Sequence, residues 1–429
     1  MELFENGNHL DERMNSYKCN FFHMFLEGES PIINGGYNKI PLRDYASFIH
    51  EYVHYIQQIT TPYGLKYSTY FIKNLLIYRE SINSSQKEIN LPFRLKVNEP
   101  TKQIEVELAN KNGSESFAKG NINDIEINNN DVKLAKQQQS AVNIGVYDFE
   151  NDRAFNEGFQ FGYWCVIESM AHMVQSLINP ELNHRIVPYR TAQLVCSKIR
   201  PDLRDDTKLL ISICYVSLYF DNPGHAFFEI LDSIPQGGEK GVELYKRYMI
   251  KYKRRFRNKK MDNHEMMNII MNEFVIILGA LVGNNLIYYK NVLNNCKLES
   301  SKGDSLFLRM IYYEDISNID RLSEIISFYG YPAIDSSKSS DIVVPFDQET
   351  ERPYLEHSSL ISLELLINRF KEKSGNKVCL RFQICNRNRD NDIIEEFCAE
   401  QQWLKEKTCL FKAGLQYWGW EDKQFNSDK

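Results

Sequence analysis

Ile49-His50-Glu51-Tyr52-Val53-His54-Tyr55-Ile56, residues 49–56, is the stretch on which the fold turns. Ile49, Tyr52, Val53, Ile56 and Ile59 recur at helical spacing, with Pro41 near the start and Pro62 just past the end, so the sequence predicts a helix over 41–61. His50 and His54 are four apart, and their imidazoles leave one face of that helix a turn apart. Gln57 and Thr61 continue their stripe, while the apolar residues occupy the face behind it. Glu51 lies about 100° round the helix from His50, close enough to reach a water on a metal held by the two rings.

Two protein ligands leave a catalytic zinc short, because such sites use three and keep a position for water. Helical periodicity over 153–178, carried by Phe155, Phe159, Tyr163, Ile167 and Met170 and closed by Pro180, predicts a second long helix. Within it Glu168 and His172 share one face of an apolar stretch, where an unpaired carboxylate is costly to bury. A metal would offset that cost. Glu168 is the expected third ligand, and His172 is either a fourth or the hydrogen-bond orienter of a ligand histidine.

HEYVH followed 114 positions later by ESMAH resembles the zinc metallopeptidases of the zincin class, gluzincin type, in which HExxH on one helix is joined by a Glu on a later helix. The resemblance implies one Zn2+ per chain on His50, His54 and Glu168, with Glu51 activating the water that attacks a peptide carbonyl. Gluzincins carry Asp four residues after the ligand Glu; this chain has His172 there. The family also uses a His or Tyr outside the motif to stabilise the oxyanion. Here the first choice is His225, with Asp221 nearby, ahead of Tyr189, His184 and Tyr215. Phe21–Glu27 is a candidate edge strand for pairing with an extended peptide.

The fold class expected is α+β, predominantly α-helical. A zincin-like catalytic core spans 1–80 plus 150–300, with a β-rich insertion at 81–149 and a small mixed α/β unit at 301–429. Residues 20–29 read as a strand, 66–78 as a second helix, and Gln103–Leu108 and Asp124–Ile127 as hairpin strands among Asn, Gly and Ser. Further helices are expected at 189–199, 206–220, 224–233, 239–256, 263–295, 317–328 and 358–372. Val378–Ile384 and a Trp-rich tail give the last unit its mixed character. No internal repeat is present.

With a formal net charge of −6, no global basic field draws the chain onto nucleic acid or an anionic membrane. The one basic run, Lys251–Lys260, reads as a solvated helix face. The polar N-terminus has no signal-peptide pattern, and the odd count of 9 cysteines fits reduced thiols, so a cytoplasmic location is expected. Phe274–Leu286 is too short and too interrupted to span a membrane and reads as a buried core helix. P-loop, Rossmann and GxSxG motifs do not occur, which argues against nucleotide-driven or serine chemistry. The expected function is an intracellular zinc endopeptidase acting on a protein or peptide substrate, with a restricted, toxin- or defence-like target and a possible regulatory protein partner. The alternatives are a non-proteolytic protein holding zinc or iron between helices and an interaction module on a zincin scaffold.

Overall fold

A computed structural model describes residues 15–32, 40–85, 87–93, 99–117, 122, 124–148, 153–182, 184–283, 286–336, 338, 342–347, 352–371, 398, 402–404 and 409–427. Two short strands, β1 (Ser16–Lys18) and β2 (His23–Leu26), precede helix α1 (Leu42–Thr60). Helix α1 stops where it does because Thr61 precedes a proline and is driven into extended backbone, φ −118° and ψ 145°. The Thr61 hydroxyl then accepts from the Gly64 amide and caps α2 (Pro62–Ser84), which has proline in its first turn. The helix expected at 66–78 is therefore longer at both ends. Helix α1 is buried on nearly every side: Ile49, Tyr52, Val53, Ile56 and Ile59 are at most 2% exposed, and the polar His50, Glu51, Gln57, Gln58 and Thr60 at most 7%. Polar groups in such a place need partners.

Among its described residues the 81–149 region holds more helix than strand, and the β-rich insertion expected there is not found. It holds β3 (Glu88–Leu91), α3 (Glu99–Asn112), β4 (Asp124–Glu126), α4 (Asn129–Gln138) and β5 (Val142–Asp148). Gln103–Leu108, expected as a strand, is helical. Its alternation marked no core face, since Ile104 and Val106 are exposed while Glu105 is buried. A second correction concerns 153–178. Arg153–Phe161 is strand β6, antiparallel to β5 from Val142 opposite Phe161 to Asp148 opposite Arg153, and only Tyr163–Ile178 is helix, α5. Phe159 and Phe161 are buried either side of an exposed Gln160, a period of two that the helical spacing of the aromatics obscured. Gly162 makes the turn between strand and helix. A Cβ there would lie 2.5 Å from the Lys111 carbonyl oxygen, so the chain passes the end of α3 only without a side chain.

Helices α6 (Thr191–Ile199), α7 (Thr207–Ser217) and α8 (Pro223–Asp232) fall close to expectation. The helix expected at 239–256 does not run through. Helix α9 (Gly241–Lys246) passes through a π-helical turn, Arg247–Lys251, into a hairpin of β7 (Lys253–Phe256) and β8 (Lys259–Asp262). Arg257 and Asn258 at its tip have φ of 48° and 66°, the left-handed pair of a two-residue hairpin turn, so the basic run is a hairpin and not a helix face. The helix expected at 263–295 is divided by Gly283, φ 95°, into α10 (Asn263–Val282) and α11 (Ile287–Lys302). Among the described residues α10 is the one helix long and apolar enough to cross a membrane; half of it is buried and it packs along α2.

The rest comprises α12 (Leu306–Tyr313), α13 (Ile319–Tyr329), β9 (Ala333–Ser336), β10 (Phe346–Asp347), β11 (Arg352–Pro353), α14 (Leu355–Lys371), α15 (Leu410–Tyr417) and β12 (Gln424–Ser427). The molecule is thus α+β and mainly helical. The boundary expected at 301 is crossed by two sheets: β9 runs parallel to β2, and β12 parallel to β3. With β1 antiparallel on its other side, β2 is the middle strand of its sheet and offers no free edge, so the edge-strand role expected for Phe21–Glu27 does not hold. Val378–Ile384 and the first 14 residues lie outside the described residues. The cysteines among the described residues are all free.

Candidate metal centre

The site forms where α1 packs against α5, the helix that follows β6 and the Gly162 turn. From α1, His50 and His54 project one turn apart, their rings 5.0 Å between centroids and nearly perpendicular at 80°. From α5, Glu168 Oε2 approaches His50 Nε2 at 3.2 Å and His54 Nε2 at 3.4 Å. One donor atom from each of the three lies within 4.8 Å of the others. Two ligands on a tetrahedral zinc at roughly 2.0–2.1 Å stand about 3.3 Å apart, so both separations match an edge of that tetrahedron. Among the described residues no other group of His, Cys, Asp or Glu converges in this way.

The far side of each ring is occupied. His50 Nδ1 meets Gln175 Oε1 of α5 at 3.1 Å, and His54 Nδ1 meets Gln57 Oε1 at 2.9 Å. Each Nδ1 thus faces an amide oxygen, and each Nε2 is aimed at the centre, the orientation a metal-ligating histidine takes. The residues present fit one zinc ion.

Electrostatics support the same grouping. Burial disfavours charge on both His54 and Glu168, yet each overcomes it through the other. Glu168 falls well below the usual carboxylate range because His54 and His50 face it. The Glu168 carboxylate, then Glu51 and Gln57, push His54 up to about 9. In the metal-free fold both groups make stability depend on pH. The His54 contribution is complete below its ordinary value of 6.5 and is lost as pH rises through 9; that of Glu168 is lost in acid. His54 is therefore protonated at pH 7 without metal, and zinc uptake is expected to release close to one proton per site. Calorimetric titration in buffers of different ionisation enthalpy measures that number, and a value near zero would mean that His54 is not held protonated in the metal-free site.

Glu51 is buried beside the cluster. Burial raises its pKa, the two histidines pull it down, and Glu168 raises it again, leaving it above the ordinary carboxylate value. His172 sits one turn beyond Glu168 but is not among the converging donors. Its buried Nδ1 has no hydrogen-bond partner among the described residues, and its Nε2 lies 3.5 Å from Ser176 Oγ. Burial, with His184, His50 and Arg190 nearby, pushes it down to about 3, so it stays neutral.

His184 and Tyr189 join the site from the segment after α5. The His184 ring stacks 5.9 Å from His50 and lies 5.0 Å from His172 and 4.8 Å from Tyr189. Tyr189, 5.9 Å from His50, has its phenol pushed up by burial and by Glu168 and Glu51. His225, the first choice from sequence, sits in the first turn of α8, where its charged neighbours are Glu229 and Lys136. Tyr215 donates to Thr60 Oγ1 in a buried tyrosine network with Tyr219 and Tyr245. The rings that pack against His50 are those of His184 and Tyr189. The sequence reading assigned no part to Gln175, although its signal was there: Glu168, His172 and Gln175 follow one another at i, i+4 and i+7 on one helical face. No protein-family model, curated protein or solved structure matches this chain.

Proposed function

We propose that this protein is a zinc-dependent peptide hydrolase of the zincin kind. The observation that carries the proposal is the convergence of His50 Nε2, His54 Nε2 and Glu168 Oε2 beside a buried Glu51, with both Nδ1 atoms already held. His50, His54 and Glu168 would hold the ion, which when bound supplies a Lewis acid that lowers the pKa of water toward neutrality and polarises a carbonyl. Glu51 takes the proton of the attacking water at its carboxylate and delivers it to the leaving amine. Its raised pKa brings it nearer the neutral range in which a group can do both. Tyr189 keeps its phenolic proton through neutral pH and, packed beside His50, would donate a hydrogen bond to the substrate carbonyl oxygen; His184 packs against its ring. Because β2 has no free edge, a peptide is held by contacts other than added-strand pairing to β2.

The test is zinc per chain by mass spectrometry on protein purified without chelator, beside cleavage of a peptide library. About one zinc with cleavage supports the proposal. One zinc and no cleavage of any peptide or protein would favour a non-proteolytic zinc protein, stoichiometric iron would favour the carboxylate–histidine alternative, and no metal would remove both.

A further inference from the structure

Helix α1 carries two adjacent glutamines, Gln57 at 2% exposure and Gln58 at 3%, and they do different things. Gln58 Nε2 donates to the Cys19 carbonyl at 2.7 Å and to Ser68 Oγ at 2.6 Å, tying α1 to the β1–β2 turn and to α2. Gln57 Nε2 donates to the Ile167 carbonyl of α5 at 3.0 Å, while its Oε1 faces His54 Nδ1 at 2.9 Å. A carbonyl oxygen only accepts, so the Gln57 amide cannot be reversed without losing that bond. Its oxygen must face His54 and His54 Nδ1 must carry a hydrogen, so once the ring gives up a proton to bind a metal the lone pair is on Nε2.

The residue whose carbonyl Gln57 grips is also the neighbour of Glu168 in the chain. One side chain therefore fixes the tautomer of a ligand on α1 and pins the α5 backbone next to a ligand on the opposite helix. Gln175 does the first of these for His50, at 3.1 Å. We propose that Gln57 is the positioning residue of the metal centre, setting zinc affinity through the His54 tautomer and through the spacing of α1 and α5. The proposal rests on the zinc reading of the site.

Its test compares zinc affinity, by competition with a chromophoric chelator, in wild type, Gln57→Met and Gln58→Met, with the denaturation midpoint of each. Both substitutions remove an equally buried amide from the same helix, and both are expected to lower the midpoint. Only Gln57→Met is expected to weaken zinc, by about 10- to 100-fold, the range typical of losing a ligand's hydrogen-bond partner. Gln57→Glu keeps an acceptor for His54 and is expected to recover part of that loss. Should Gln57→Met fail to fold, Gln57→Asn, too short to reach both partners, takes its place with the same expectation. Equal affinity losses in the Gln57 and Gln58 variants, or none in either, would overturn the positioning role while leaving the zinc site standing. Absence of zinc binding in the wild type would overturn both.

Discussion

Glu51→Gln should leave about one zinc per chain and remove turnover. The carboxylate is not among the three converging donors, so the ligand set survives the substitution. What disappears is, among the described residues, the one acidic side chain buried beside His50, His54 and Glu168 and interacting with all three without being a ligand. General base catalysis by a positioned side chain contributes about 10²- to 10⁴-fold, so kcat/KM should fall by that factor. Glutamine is nearly isosteric and has no charge to desolvate, so the thermal midpoint should hold or rise. A variant that keeps its zinc and cuts peptide within a few-fold of wild type would mean the proton goes elsewhere, with Tyr189 or His184 next to be examined.

Glu168→Ala should do the reverse and empty the site. Losing an outer partner of a ligand costs about 10- to 100-fold in metal affinity, and losing the ligand itself should exceed 100-fold. The substitution has a second signature that needs no metal. Without the Glu168 carboxylate the largest influence holding His54 up to about 9 is gone, and burial then drives its pKa down. The loss of stability that the metal-free wild type should show as pH rises from about 6.5 through 9 should flatten in the variant. Chelator-treated protein unfolded by denaturant across that range measures it. Retained zinc, or an unchanged pH dependence, would show that the two helices are not joined through this carboxylate.

The centre was legible in the sequence because its ingredients are local. HEYVH fixes two donors on one helical face by spacing alone, and a carboxylate in the apolar run after Gly162 had few other reasons to be there. The helix limits near 41–61 followed from prolines, whose backbone restrictions act within a residue or two. What escaped was decided at longer range. Arg153–Phe161 is a strand because β5 lies beside it, and its aromatics fit a helical wheel equally well. Gln103–Leu108 alternates like a strand but packs as a helix. His225 outranked Tyr189 on a neighbouring aspartate in the sequence, whereas the ring stack that places Tyr189 and His184 against His50 depends on how the segment after α5 folds back. The free edge imagined for β2 was closed by a strand more than 300 residues downstream, with no local trace.

The distance in sequence between the two halves of the centre imposes an order on its birth. His54 leaves the ribosome 114 residues ahead of Glu168. At about 5–20 residues per second, α1 waits roughly 6–23 s for its counterpart. On the zinc reading, the histidine pair offers two donors during that interval, one short of the converging three. On that reading the site is complete only once α5 docks, and a chain stalled between these helices would emerge metal-poor. Pulse-labelled nascent chains arrested before Glu168, and others arrested far enough past residue 178 for α5 to have cleared the ribosome, would show retained metal only in the longer set.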